Sequence, residues 1–252
     1  MSSIDDRRAV LASGGDASAP AREPLDRRRI VAEAIAFVDE HGLTQLTMRR
    51  LGERLGVEAM SLYRYVAGRE DLLDAMVEET LSGLDNDPHL RLLPSDAWQA
   101  YLQRLAHGVR AMALAHPKVF PLVASRHPDA PWLRPPLRSL DLVEAFLEAL
   151  ISRGFSDDAA VAAYRAFSSF LLGHLLPEVS ARGAETAPAE QPLAEAGARA
   201  ADDHGPESES DERLAEYPNL RRLERRLSRD DSGAEFETSL ESLLHRLELT
   251  LR

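Results

Sequence analysis

Apolar residues recur along this chain at spacings of three, four and seven. Nowhere do they alternate with polar ones over the length of a strand, so the pattern predicts an all-α fold. A first helix begins at Asp26, with Ile30, Ala34, Ile35 and Val38 on one face, and ends at Gly42. Thr47 then caps a short helix whose Met48, Leu51 and Leu55 fall at i, i+3 and i+7. Gly56 stands where that helix must stop in a left-handed conformation, with Val57 plugging the corner. A second short helix from about Glu58 buries Leu62 and Val66 and leaves Ser61, Tyr63, Arg64 and Tyr65 to solvent. A fourth helix, from Arg69 or Glu70, carries Leu72, Leu73, Met76, Val77, Thr80 and Leu84 as its apolar stripe.

The remainder is helical as well. Pro94-Ser95 opens a long helix lined by Trp98, Tyr101, Leu102, Leu105, Val109 and Met112, which ends at His116-Pro117. A short helix spans Lys118 to Ser125, and Leu137, Leu140, Val143, Phe146, Leu147 and Leu150 form the next stripe, stopped by Gly154. Ser156-Asp157-Asp158 caps a helix whose Val161, Tyr164, Phe167, Leu171 and Leu175 lead to Pro177. Residues 181–212, rich in Ala, Glu, Pro, Asp and Ser, read as a mobile acidic loop. After it come a short basic element opened by Pro218 and a last helix with Phe236, Leu240, Leu243, Leu244, Leu247 and Leu251. The expected organisation is a disordered arm over 1–24, a helix-turn-helix domain over 25–72 and a larger helical domain over 73–252. Scattered arginines leave two roles open for the arm, a solvated tail or a reach toward a phosphate or minor groove.

Composition narrows the chemistry. There is no cysteine, so disulfides and thiolate metal sites are excluded. Charged residues interrupt the N-terminus before it reaches signal-peptide length, and no stretch reads as the run of about 20 apolar residues that crosses a bilayer. The expectation is a soluble, cytoplasmic protein with no membrane partner. The net charge of −12 looks wrong for a nucleic-acid binder, but it is unevenly spread. Residues 47–69 carry five arginines against Glu53 and Glu58, whereas 182–216 hold ten acids against three arginines. Screening over about 8–10 Å makes the local balance the one a phosphate meets.

Two short helices joined by a tight turn, the second presenting a hydroxyl, an arginine and aromatics, have the shape of a helix-turn-helix that enters the major groove. Enzymatic readings find no support. The histidines form no HExxH motif, Asp157-Asp158 reads as a helix cap, and no phosphate loop occurs, so neither catalytic nor metal residues nor cofactors are assigned. His116, before Pro117, suits a helix C-terminus.

Leu46-Thr47, Leu51-Gly52, Leu55-Gly56-Val57, Ser61-Leu62-Tyr63-Arg64-Tyr65-Val66 and Arg69-Glu70-Asp71-Leu72-Leu73 together resemble the tetracycline-repressor family of transcriptional regulators. The likeness extends through Trp98, Tyr101, Arg126-His127-Pro128, Arg153-Gly154-Phe155 and Leu172-Gly173, covering roughly 26–252. It implies DNA contacts from Thr47, Met48 and Arg49, from Ala59, Met60, Ser61, Arg64 and Tyr65, and from Arg69. Arg49 and Arg69 suit phosphates, and Arg64 suits guanine O6 and N7. Tyr63 has two readings, core-edge packing and a phosphate contact through its hydroxyl.

The resemblance further implies a homodimer that leaves a palindromic operator when a small molecule binds. An activator or a ligand-independent repressor of the same fold stays open, as more remotely does a helical scaffold for protein partners. The positions that bind drug and magnesium in tetracycline-binding members fall here on Leu105, Val109, Val123, Ser139 and Pro177, which offer no metal ligand. The implied effector is therefore apolar or aromatic. Its pocket would be bordered by Trp98, Leu105, Val109, Met112, Phe120, Val123, Trp132, Ser139, Phe146, Tyr164, Phe167 and His174, residues that a plain core would equally use. His107 and Arg126 are further polar candidates for its wall. The helix around 156–177 and the last helix are expected to form the dimer seam through Tyr164, Leu171, Leu240, Leu243, Leu244 and Leu247.

Overall fold

A computed structural model describes residues 24–85, 87–90, 97–126, 132–185 and 216–250. The expected arm up to 23, the helix start at Pro94-Ser95, most of the acidic loop, and Leu251 lie outside the described residues. Among the described residues the regular structure is helical: α1 (Arg27–His41), α2 (Met48–Leu55), α3 (Ala59–Leu62), α4 (Arg69–Asp85), α5 (Trp98–Ala115), α6 (Phe120–Ser125), α7 (Leu140–Ile151), α8 (Asp157–Ala181), α9 (Pro218–Leu227) and α10 (Ser232–Leu249).

The helix boundaries follow from local chemistry. Asp26, Thr47, Ser139 and Ser156 sit in extended conformation at the heads of α1, α2, α7 and α8, and each side chain accepts a backbone N–H three residues on. Gly42 and Gly154, at φ +86° and +95°, end α1 and follow α7 in a region that side chains avoid. Two differences from expectation are instructive. The chain enters α7 at Leu140, because the Ser139 hydroxyl has claimed the Leu142 N–H. α8 does not stop at Pro177 but runs on to Ala181, with the proline inside it.

One contiguous core joins both expected domains, running from Ile30, Leu51 and Leu62 through Met76 and Leu84 to Leu105, Phe167 and Leu247. The boundary expected at 72–73 falls inside α4, which packs on α1 and also on α5 and α6. By length and composition α8 is apolar enough to cross a membrane, contrary to the reading that no stretch is. Its Ala163, Tyr164, Phe167, Leu171 and Leu175 are buried, and it packs on α5, α6, α7 and α10, as a core helix does.

Leu240, Leu243, Leu244 and Leu247 are already buried within one chain, where α10 packs on α8 and α5, and so are Tyr164 and Leu171. Heptad-like spacing says that a helix needs an apolar partner; here the partner is in the same chain.

Candidate nucleic-acid interface

Thr47 Oγ1 accepts the Arg50 N–H at 3.2 Å, starting α2, and Gly56 ends it at φ +70°, ψ +32°. The Val57 N–H then returns to the Gly52 carbonyl at 2.9 Å. Gly52 has a role that the pattern of apolar residues did not reveal. A Cβ there would lie 2.9 Å from the Val57 carbonyl oxygen and 3.1 Å from the Ala59 nitrogen, both backbone atoms. Only a glycine lets α2 approach the start of α3 this closely. Gly52→Ala is expected to push the two helices apart, costing about 1–3 kcal/mol and most of the DNA affinity. Thermal denaturation and a DNA titration of the variant check this together.

α3 is short, four helical residues followed by turns to Tyr65, and Leu62 and Val66 anchor it in the core. Its outer surface carries Met60 (73% exposed), Tyr63, Arg64 and Tyr65, with Ala59 and Ser61 half-buried beside them. Tyr63 is exposed at 45%, which leaves room for both an edge that packs and a hydroxyl that reaches a phosphate. Arg64 has no ion-pair or hydrogen-bond partner among the described residues. Arg49 reaches Glu53 at 2.9 Å in an open i, i+4 pair, and Arg69 lies 4.0 Å from Glu70. Both pairs are solvent-exposed, hence weak and easily exchanged for a phosphate. Of the other two arginines counted in the segment's positive charge, Arg54 is held by Glu33 and Glu40 of α1 and Arg50 by Gln45. Met48 is half-buried, and the Thr47 hydroxyl already serves as a cap.

The end of the recognition segment is braced from two sides. Arg27 of α1 donates to the Tyr65 carbonyl at 2.9 Å and grips both oxygens of Asp71, at 2.9 and 2.7 Å. Asp71 also accepts the Ala67 N–H at 2.7 Å. The Arg27 bond and the Ala67 amide hold the Asp71 carboxyl down at about 2. These contacts tie α1, the exit of α3 and the first turn of α4 into one unit.

Polar contacts also join this module to the larger domain. At the C-terminus of α5, His116 Nδ1 lies 2.7 Å from Asp39 of α1, and Lys118 donates to the Glu40 carbonyl at 2.8 Å. Arg126, just past α6, donates to Asp74 at 2.6 Å and Glu70 at 3.0 Å, both on α4. Arg126 thereby links the end of α6 to α4. The hydrogen bond to Asp39 raises the His116 pKa above its usual 6.5, against partial burial. The stabilisation from the charged pair is therefore complete below pH 6.5 and is lost as pH rises through the elevated value. Denaturant titrations at about pH 6 and about pH 8 should show a loss of stability that His116→Gln lacks.

The expected pocket residues divide. Leu105, Val109, Phe120, Val123, Phe146 and Phe167 are fully buried side by side in the core cluster, and Trp98 and Met112 nearly so. Trp132 is 73% exposed and sits in a turn outside the helical stripes. Ser139 caps α7, and the Tyr164 hydroxyl accepts the Arg134 N–H at 2.6 Å and donates to the Leu137 carbonyl at 3.2 Å. His107 faces Glu237 at 3.6 Å and is half-exposed. His174 lies against Phe170 and Phe236 and borders a polar cavity of about 450 Å³ between α8 and the α9–α10 turn. Among the described residues no group of His, Asp or Glu is arranged to hold a metal ion.

Residues 30–76 match the model of bacterial regulatory proteins of the tetR family, and residues 91–251 that of the tetracyclin repressor-like C-terminal domain. The class A tetracycline repressor protein from transposon 1721 of Escherichia coli is 31% identical over 199 residues, 76% of this chain and 88% of its own. The transcriptional repressor DrrR1 of Streptomyces coeruleorubidus is 32% identical over 157 residues, 61% of this chain and 55% of its own. Among solved structures, a possible TetR family transcriptional regulator from Streptomyces coelicolor A3(2) superposes with a TM-score of 0.66 at 30% identity, covering 89% of this chain and 99% of that one.

Proposed function

The chain belongs to the tetracycline-repressor family of ligand-responsive, DNA-binding transcriptional repressors, and on that premise we propose that it acts as a homodimer on a palindromic operator. The observation that carries this reading is the exposed face of α3, where Met60, Tyr63, Arg64 and Tyr65 stand in solvent while Leu62 and Val66 are anchored. Arg64 reads a guanine in the major groove. Tyr65, Ser61, Tyr63, Arg49 and Arg69 hold phosphate and sugar, Thr47 and Met48 set the head of α2 against the backbone, and Ala59 and Met60 offer apolar contact to a thymine methyl.

With the leucines of α10 used inside the chain, the dimer face is assigned to the outward surfaces of the same two helices. On α8 these are Ala162, Arg165, Ser169, Leu172, Gly173 and Leu176, and on α10 Thr238, Ser242, His245 and Leu249, each set at helical spacing. Two such helices from each chain form a four-helix seam and space the recognition helices for one face of DNA.

An apolar or aromatic effector enters the larger domain and favours a spacing that does not fit the operator. A hundredfold loss of operator affinity requires about 2.7 kcal/mol of differential binding between the two spacings. The Arg126 contacts to Glu70 and Asp74 and the packing of α4 on α5 and α6 offer the route. A gel shift with the DNA upstream of the protein's own gene tests the reading. Sequence-specific retardation supports it, and equal retardation of unrelated DNA refutes it.

A further inference from the structure

The recognition segment is too short to hold its own shape. α3 has four helical residues, whereas an isolated helix needs about 12 to persist in water. Leu62 and Val66 anchor its inner side. The Leu62 carbonyl takes the last local bonds, from the Tyr65 N–H at 2.9 Å and the Val66 N–H at 3.1 Å. Arg64 and Tyr65, assigned to a guanine edge and to the DNA backbone, stand on the turns past the helix proper. Their direction therefore depends on what fixes the chain between α3 and α4.

One ion pair does so. Arg27 Nη1 donates to the Tyr65 carbonyl and to Asp71 Oδ2, each at 2.9 Å, and Nη2 donates to Asp71 Oδ1 at 2.7 Å. Asp71 Oδ2 also accepts the Ala67 N–H at 2.7 Å. A guanidinium holds its donors at fixed angles in one plane, so meeting these acceptors together sets the Tyr65 carbonyl relative to both α1 and α4. Asp71 is itself held in place, because Arg126 bonds Glu70 and Asp74 on either side of it and α4 packs on α1. The side chains of Arg27 and Asp71 are 45% and 33% exposed. A pair that open to water adds little to fold stability, so its consequence is orientation.

We propose that Arg27 and Asp71 are positioning residues for sequence reading: without touching a base, they set the angle at which Arg64 and Tyr65 leave α3, and with it the discrimination between operator and other DNA. The proposal rests on the regulatory reading above and adds to it two residues that determine specificity. A base contact tolerates little displacement, whereas a phosphate is served by any cation nearby. The rival role for Arg27 is such a phosphate contact. Lysine separates the two roles, since it keeps the charge but offers one nitrogen, which cannot span the Tyr65 carbonyl and both Asp71 oxygens. Asparagine at 71 keeps an acceptor for the Ala67 N–H and removes the charge that Arg27 grips.

The test titrates the full-length protein, Arg27→Lys, Asp71→Asn and the double variant against the DNA upstream of its own gene and against a scrambled duplex of the same length and composition. Each single variant should bind the upstream DNA about tenfold more weakly and change by less than about twofold on the scrambled duplex. Its salt slope and melting temperature should match those of the unmodified protein. The double variant should lose no more than the weaker single one, because both changes break the same contact. Arg27→Lys that binds the upstream DNA normally would make Arg27 a phosphate contact and overturn the proposal. So would equal losses on both duplexes, losses that add in the double variant, or melting temperatures that fall in step with affinity. The two claims fail separately: an unmodified protein that does not prefer the upstream DNA removes the regulatory reading and this role with it, whereas a preference that both variants keep removes only this role.

Discussion

Leu243→Glu combined with Leu247→Glu is expected to unfold the C-terminal helices, not to separate two intact chains. Both side chains are almost fully buried where α10 packs on α8 and α5. Losing a buried leucine costs about 2–5 kcal/mol even when the replacement is merely smaller. Placing a carboxylate there adds its desolvation, or forces it to take up a proton. Two such changes consume a large share of the roughly 5–15 kcal/mol that holds a domain together. Circular dichroism should show lost helix and no cooperative melt. Leu172→Glu with Leu176→Glu, on the half-buried outward side of α8, should instead leave helix content intact and halve the sedimenting mass. A folded dimer for the α10 variant would mean that those leucines are not the core that they form here.

Arg64 and Arg69 are expected to fail in different ways. Arg64 projects from α3 with no partner among the described residues, so its guanidinium is available for a bidentate bond to a guanine edge. Arg64→Ala should cost about 1–3 kcal/mol on the operator and erase discrimination at one base pair. Arg69, at the head of α4, should weaken every sequence alike when replaced by alanine, and flatten the salt dependence by about one phosphate contact. A panel of singly mutated operators titrated at several salt concentrations separates the two. Identical profiles for both variants would remove the division between base reading and phosphate contact.

The parts of this molecule that were legible in advance are those decided by a few neighbouring residues. Asp26, Thr47 and Ser156 announce helix starts because a short acceptor side chain satisfies an otherwise orphaned N–H. Gly42, Gly56 and Gly154 announce stops because they adopt positive φ. What escaped depends on distant partners. The stripe on α10 was plain, but its spacing carries no information on whether α8 of the same chain or of a second one covers it. Arg126 bonds to residues more than 50 positions earlier, a link that no local pattern announces. Tyr101 read as one more apolar member of α5, because its lack of a partner is a property of the packed core. Gly52 belonged to a recognisable motif, while its reason, backbone atoms of Val57 and Ala59 around 3 Å from a would-be Cβ, exists only in three dimensions.

The central claim is that two copies of α3 enter successive major grooves on one face of a palindromic site. Hydroxyl-radical footprinting of the protein on its own upstream DNA tests it most directly. The account predicts two protected patches related by a two-fold axis, centred about one helical turn or a multiple of it apart, and both lost in the Gly52→Ala variant. A single asymmetric patch, or protection that survives Gly52→Ala unchanged, would contradict it.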